Sequence, residues 1–241
     1  MSGRHLARSL SWLRQTPLHP QWLLDSRPSV AAWAAPHLGG RVLDIGCGDR
    51  WAEPLVGARG QYIGLDSIVT GARLYGARPD IFGDAARLPI REDSIDCVVF
   101  LEVLEHLEHP RQALEDIARV LKPGGQVLLS MPFLYPIHDA PYDFQRYTRH
   151  GLLREVESVG LGVRSITASR HACEAAGLLA AIACGGVAVA AVEQRRLSLI
   201  LVPLLLAAVP VINLVAWAAA RLLPDWPALT SGYRVIASKP T

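Results

Sequence analysis

An apolar run that ends in an acid and a two-glycine turn, Arg41 Val42 Leu43 Asp44 Ile45 Gly46 Cys47 Gly48, constrains this chain more than any other stretch. Such a run predicts a strand, and glycine at its end leaves bare backbone to which a nucleotide-like ligand can lie close, because no Cβ intervenes. A second run, Gln61 Tyr62 Ile63 Gly64 Leu65 Asp66, ends in a carboxylate about twenty residues further on, the spacing expected of a ribose-binding acid. Gly83 Asp84 Ala85 Ala86 Arg87 Leu88 Pro89 places an acid after a third short run, and Ser94 to Leu101 reads as a fourth, buried strand opening into Glu102 Val103 Leu104 Glu105 His106 Leu107.

The series resembles the class I S-adenosylmethionine-dependent methyltransferases, of the type 11-like group, from about Gly40 to Gly160 and again over the last strand. The resemblance implies S-adenosyl-L-methionine as cofactor, with Gly46, Cys47 and Gly48 facing its amino-acid end and Asp44 orienting the turn or touching the ammonium group. It also implies that Asp66 takes both ribose hydroxyls, that Asp84 and Ala85 meet the adenine, and that Leu101 and Glu102 flank the cofactor after the fourth strand. Gly48 is followed by Asp49 Arg50 Trp51, so the third glycine of a dinucleotide fingerprint is missing. That glycine lets a helix pack beneath a pyrophosphate, so an NAD-binding dehydrogenase is the lesser alternative. No role is assigned to Asp49.

The rest of the chain extends the alternation. Pro110 to Leu121 carries Ala113, Leu114, Ile117, Ala118, Val120 and Leu121 at helical spacing, with Glu115 and Asp116 facing away. Lys122 Pro123 Gly124 Gly125 ends that helix and Gln126 to Met131 begins a fifth strand. Thr148 is a candidate N-cap for a helix through Leu152, Leu153 and Val156, and sixth and seventh strands are expected at 162–167 and 232–238. The expected fold is α/β: a doubly wound, Rossmann-like, seven-stranded sheet, parallel through its strand–helix repeats, with a hydrophobic helical insertion between the last two strands. Four segments follow: 1–38, a helical cover broken by Pro17, Pro20, Pro28 and Pro36; 39–170, the cofactor-binding core; 171–231, the insertion; and 232–241, the final strand.

Composition narrows the partners. A net charge of +2 is too small to argue for nucleic acid, and the length of 241 residues allows one full core with an appendage. Cys47, Cys97, Cys173 and Cys184 form no CxxC pair and show no metal spacing, so no metal is expected and buried thiols in a reducing compartment are the simplest account. Arg4, Arg8 and Arg14 interrupt any signal-peptide core, so the catalytic domain is expected to be cytoplasmic. Ala175 to Val192 and Leu197 to Ala220 contain no charged residue, and the second is long enough to span a bilayer. Spanning would carry Arg195 and Arg196 to the far side, against the positive-inside tendency. Pro203 and Pro210 are expected to break the second segment, which favours a kinked or re-entrant hairpin over full spanning. Trp217, Arg221 and Trp226 suit an interfacial level, and a soluble packing insert is the competing reading. In the family topology the sixth strand runs parallel to the fifth, so the insertion would leave it at the cofactor edge, against a membrane.

The segment from Pro132 to Tyr147 has no period but is dense in Phe, Tyr, His, Asp and Arg, and is expected to wall the acceptor pocket. His138 is the first candidate general base, oriented by its neighbour Asp139; His106 is the second. Glu105 and Glu108 are read as solvated. Tyr142, Arg146 and Tyr147 are candidates for binding a sugar or phosphate, Arg146 as the fork, or else tie down their own loop. The wording of this loop resembles bacterial methyltransferases of cell-surface glycan or lipid assembly, which implies O-methylation of a lipophilic or lipid-linked acceptor. The Asp84 and Glu102–Leu107 regions resemble quinone-ring methyltransferases, so an isoprenoid quinone precursor is the alternative acceptor. A non-catalytic, membrane-attached cofactor-binding protein is the alternative of another class.

Overall fold

A computed structural model of the chain describes residues 11–24, 27–194 and 197–241. Residues 1–10 and 25–26 of the expected helical cover, and Arg195 and Arg196 between the two uncharged segments, lie outside the described residues. The chain divides into two units, one built from 26–133, 137–167 and 232–241, the other from 1–25, 134–136 and 168–231.

The larger unit is a seven-stranded sheet. Its strands are β1 (Gly40–Ile45), β2 (Gly60–Asp66), β3 (Ile81–Phe82), β4 (Ile95–Leu101), β5 (Leu121–Pro132), β6 (Gly162–Ala168) and β7 (Gly232–Ser238), in the order β3-β2-β1-β4-β5-β7-β6. β1 pairs in parallel with β2 and β4, and β4 with β5, whereas β7 pairs antiparallel with β5. The sheet is therefore mixed rather than wholly parallel, since the last strand slots between the fifth and the sixth.

Strand periodicity explains how both faces fill. Leu43, Ile45, Val98, Phe100, Val127 and Leu129 point to one face, where they meet helices α3 (Pro110–Val120) and α4 (Arg149–Ser158) through Ala113, Leu114, Ile117, Leu152 and Val156. The intervening Val42, Cys97, Val99 and Leu128 point to the other, against Ala34 of α1 (Arg27–Ala34), Leu38 and Val56 of the one-turn α2 (Glu53–Val56). Asp116, expected to face solvent, instead accepts from the backbone of Leu88 and holds Arg119, whose Nη1 reaches Ile90 O at 2.8 Å. That pair ties the segment after β3 to α3. The N-cap is where the residue type demands it, with Thr148 Oγ1 accepting from Gly151 N at 3.2 Å. The chain turns from α3 directly into β5 at Leu121, earlier than the Lys-Pro-Gly-Gly run suggests.

The smaller unit is helical. α5 (Ala172–Glu193) and α6 (Val202–Leu222) are joined through a 3-10 turn at Leu197–Leu201. Gly177 sits so close to Ala216 that a Cβ built on it would be 2.3 Å from the Ala216 Cβ. Leu23, Leu178 and Ala216 form the small core, and buried Asn213 donates from Nδ2 to Pro17 O at 2.7 Å and His19 O at 3.0 Å. The segment 197–220 changes from the 3-10 turn to α6 next to Pro203, whereas the break expected at Pro210 does not occur. Pro203 lies in the first turn, where its missing N–H has no intrahelical partner anyway, and α6 runs on through Pro210. α5 and α6 are both long and apolar enough to cross a membrane, and Leu204, Val211, Val215 and Leu222 of α6 are each more than half exposed.

Candidate active site

The parallel strands β1, β2 and β4 end together, and the residues that follow them form the site. Gly46 N and Cys47 N donate to Leu65 O at 2.9 and 3.2 Å, stitching the turn after β1 to the end of β2. Gly46 has φ +75° and a Cβ there would meet Val103 Cγ2 at 2.3 Å, so only glycine fits. Gly48 has φ +52° with open space where a Cβ would stand. Buried Asp66 holds this turn: Oδ2 accepts from Gly48 N at 2.8 Å and Oδ1 from Ser67 N at 2.7 Å. A carboxylate has about four lone-pair sites, so each oxygen keeps capacity for a hydroxyl. Open backbone at Gly48 beside an anchored acid fits the donor set that S-adenosylmethionine needs.

Asp44 lies beneath the turn, where it accepts the Tyr62 hydroxyl proton at 2.6 Å. Burial pushes its carboxyl up to about 7, and the neighbouring Asp66 charge adds to the rise. Burial likewise pushes the Cys47 thiol up to about 12, so Cys47 contributes backbone and volume rather than a thiolate. Asp49 pairs with Arg27 at 2.7 Å on the surface. Asp84 is exposed, with Oδ1 accepting from Ala86 N at 2.9 Å, while Ala85 is buried behind it. Leu101 ends β4, and Glu102, at φ +54°, accepts the Ser130 hydroxyl proton on Oε1 at 2.6 Å.

The histidines come together in a way the sequence does not show. His106 follows β4 and His138 follows β5, and their rings meet edge to face with centroids 4.9 Å apart. The ring of His138 pairs with Asp143, Nδ1 to Oδ2 at 3.2 Å, while Asp139 faces His106 Nε2 at 4.0 Å. The expected pairing of His138 with its sequence neighbour is thus replaced by one five residues away. Arg146 grips Asp143 with both terminal nitrogens, which holds that carboxyl down at about 2 and occupies the fork expected to meet a phosphate. His106 Nδ1 lies 2.7 Å from Tyr142 O, and burial lowers the proton affinity of its ring.

Glu105, read as solvated, is fully buried, and neither of its oxygens has a hydrogen-bond partner among the described residues. Its Oε1 stands 3.7 Å from His106 Nε2 and 3.9 Å from His138 Nε2. Burial, reinforced by the Glu102 charge, raises its pKa well above the carboxylate range. The cause of the burial is nonlocal. Phe144 N donates to Glu105 O at 2.9 Å and Gln145 Nε2 to Leu107 O at 2.9 Å, so the loop after β5 closes over this turn. Leu104 and Leu107 at i and i+3 give no hint of it, whereas Glu108 is exposed as expected. A cavity of about 470 Å³ lies at the opposite, amino ends of the strands, where Lys122 and Asp96 already pair at 2.6 Å.

Comparison with known proteins adds four findings. A family model described as a methyltransferase domain matches residues 23–179. A Mycolicibacterium smegmatis protein named "probable S-adenosylmethionine-dependent methyltransferase" is 40% identical over 100 residues, 39% of this chain and 38% of that protein. The protein named ubiquinone biosynthesis O-methyltransferase of Hahella chejuensis is 33% identical over 120 residues, 43% of this chain and 50% of that protein. The chain thus spans half or less of the length of these two curated relatives. The crystal structure of a SAM dependent methyltransferase from Archaeoglobus fulgidus aligns with TM-score 0.56 and 20% identity over 91% of this chain and 97% of that one, a likeness of fold.

Proposed function

Since the chain belongs to the class I S-adenosylmethionine-dependent methyltransferase family, we propose that it transfers a methyl group from that cofactor to a hydroxyl of a lipophilic, membrane-held acceptor. The observation that carries the transferase reading is the buried Asp66 carboxylate, anchored on Gly48 N beside open backbone. In this reading Asp66 holds the ribose, Asp84 and Ala85 the adenine, and the Asp44–Gly48 turn the amino-acid end, with Leu101 and Glu102 alongside. The bound cofactor supplies an electrophilic methyl group on a sulfonium. Its transfer is an in-line displacement, so alignment in a shielded site provides most of the acceleration. Glu105, His106 and His138 lie past the ends of the adjacent strands β4 and β5 and act on the acceptor oxygen, with Asp139 at their rim.

A lipophilic acceptor is supported by α5 and α6, whose exposed leucines and valines would be an unusually large apolar surface for a helix bathed in water. Arg221 stacks on Trp217 at 3.8 Å, a cation–aromatic pair suited to the level of lipid headgroups. In this reading the protein sits on the cytoplasmic face of a membrane through 175–220. A second reading, a quinone-precursor hydroxyl, rests on the Hahella chejuensis relative's name. The test is transfer of labelled methyl from S-adenosylmethionine by detergent-solubilised protein into a host extract split into organic and aqueous phases. Label in the organic phase supports the reading, and mass analysis of that material separates a quinone precursor from a glycolipid. Label confined to the aqueous phase refutes the lipophilic acceptor.

A further inference from the structure

We propose that Glu105, His106 and His138 form a binding site for a first-row divalent transition-metal ion. One donor atom from each residue lies within 4.8 Å of the other two. The separations of Glu105 Oε1 from the two Nε2 atoms, 3.7 and 3.9 Å, are too long for hydrogen bonds. They are close to the spacing of ligands around one ion, because bonds of about 2.1 Å at tetrahedral or octahedral angles put donor atoms about 3.0–3.4 Å apart. About half an ångström closes each Glu105 edge, and the remaining edge, between the two histidines and within 4.8 Å, closes by as much as about 1.4–1.8 Å as the imidazole rings rotate.

Two further observations point inward to the same place. Glu105 is 0% exposed and neither of its oxygens has a hydrogen-bond partner among the described residues, where buried polar atoms in folded proteins are nearly always paired. His106 Nδ1 lies 2.7 Å from Tyr142 O, and His138 Nδ1 lies 3.2 Å from Asp143 Oδ2 and 3.4 Å from Arg146 Nη2. A metal-bound histidine donates from its second nitrogen to a carbonyl or carboxylate; Tyr142 O and Asp143 Oδ2 are the acceptors for the two rings, and at His138 ligation requires Nδ1 to donate to Asp143 in place of accepting from Arg146. Asp143 is itself steadied by Arg146. Two imidazoles and one carboxylate favour Zn²⁺, Co²⁺, Fe²⁺ or Mn²⁺ over Mg²⁺ or Ca²⁺, which prefer all-oxygen shells. Three protein ligands leave coordination positions open, with Asp139 Oδ2 4.0 Å from His106 Nε2 at the edge.

The consequence for chemistry rests on the transferase reading given above. An ion held by these three residues would lower the pKa of an acceptor hydroxyl beside it, so that the proton would pass to water and the oxygen would bond to the methyl carbon as the carbon–sulfur bond breaks and its electron pair returns to sulfur. The histidines then serve as ligands and not as bases.

The test uses the full chain without a polyhistidine tag, in detergent, stripped with EDTA and dialysed, then titrated with Co²⁺ and followed by visible absorption. One equivalent per chain with d–d bands of mixed nitrogen and oxygen ligation is expected. Glu105→Gln and His138→Ala should each weaken Co²⁺ at least about 100-fold while S-adenosylmethionine binding, measured on the same samples, stays intact. No absorption in the native protein, or affinity unchanged in both variants, overturns the site. Methyl transfer that persists undiminished in EDTA overturns the ion's part in activation and leaves the transferase reading standing. Tight Co²⁺ binding without transfer into any fraction of the extract supports the site and counts against the transferase reading.

Discussion

Replacing Gly71 by Ala should damage the cofactor site although residue 71 touches it only through Asp66. A Cβ at that position would stand 2.0 Å from Asp66 Oδ1 and 2.4 Å from its Cγ. Contacts below about 3 Å do not persist, so the carboxylate must move by about 1 Å or more. Asp is too short to yield while keeping both backbone bonds, Ser67 N at 2.7 Å and Gly48 N at 2.8 Å. Hydrogen bonds to charged groups contribute about 1.5–3 kcal/mol each, and loss of one or both is offset by about 0.5–1 kcal/mol from exchanging Gly for Ala in a helical turn. The expected net loss is about 2–4 kcal/mol, or a Tm lower by about 5–15 °C for a chain of this size.

The assay is a double-mutant cycle with Asp66→Ala, followed by thermal unfolding and by calorimetric titration with S-adenosylmethionine. Gly71→Ala alone should weaken cofactor binding about tenfold or more, and in the Asp66→Ala background most of its cost should vanish because the clashing carboxylate is gone. Gly39→Ala, which has open space at its Cβ, is the control and should be near neutral. Stability of Gly71→Ala within about 0.5 kcal/mol of the native protein, or equal costs in both backgrounds, would refute the argument that the carboxylate is pinned.

Asp44→Asn should change how stability depends on pH. The Asp44 carboxyl is raised from 3.8 to about 7 by burial, so between those values the folded chain keeps a proton that the unfolded chain has released. Raising the pH through this window removes stability, by up to about 1.4 kcal/mol per pH unit, and above it the contribution is flat. The Asn variant lacks that slope, so its advantage over the native protein should grow from low to neutral pH in urea unfolding; parallel curves would contradict the assignment. In the helical unit, Gly177→Val should cost about 1–3 kcal/mol by forcing α5 from Ala216, whereas Gly186→Ala, with open space, should be neutral or gain up to about 1 kcal/mol in the same thermal assay.

Much of the sheet was legible because its signals are local. Val42, Leu43 and Ile45 are apolar since β1 is buried on both faces, and Gly46 is glycine since Val103 leaves no room for a Cβ. The spacing of Ala113, Leu114, Ile117 and Val120 specifies the buried stripe of α3 wherever that helix docks. Pro210 misleads when read alone: it removes one donor, and twenty other helical residues of α6 carry the chain through it. The antiparallel entry of β7 between β5 and β6 is a choice among strand edges, which no run of seven residues encodes.

The candidate site divides along the same line. The amino-acid sequence by itself determined the strand–glycine–acid series and the two uncharged segments, because backbone freedom and apolar periodicity act over a few residues. Tertiary structure alone decided that Glu105 is buried, that His138 pairs with Asp143 and not through Asp139, and that His106 and His138 meet. Those outcomes arise where the loop after β5 closes over the turn after β4, and contacts between residues some thirty positions apart are set by the register of neighbouring strands, which local sequence does not carry.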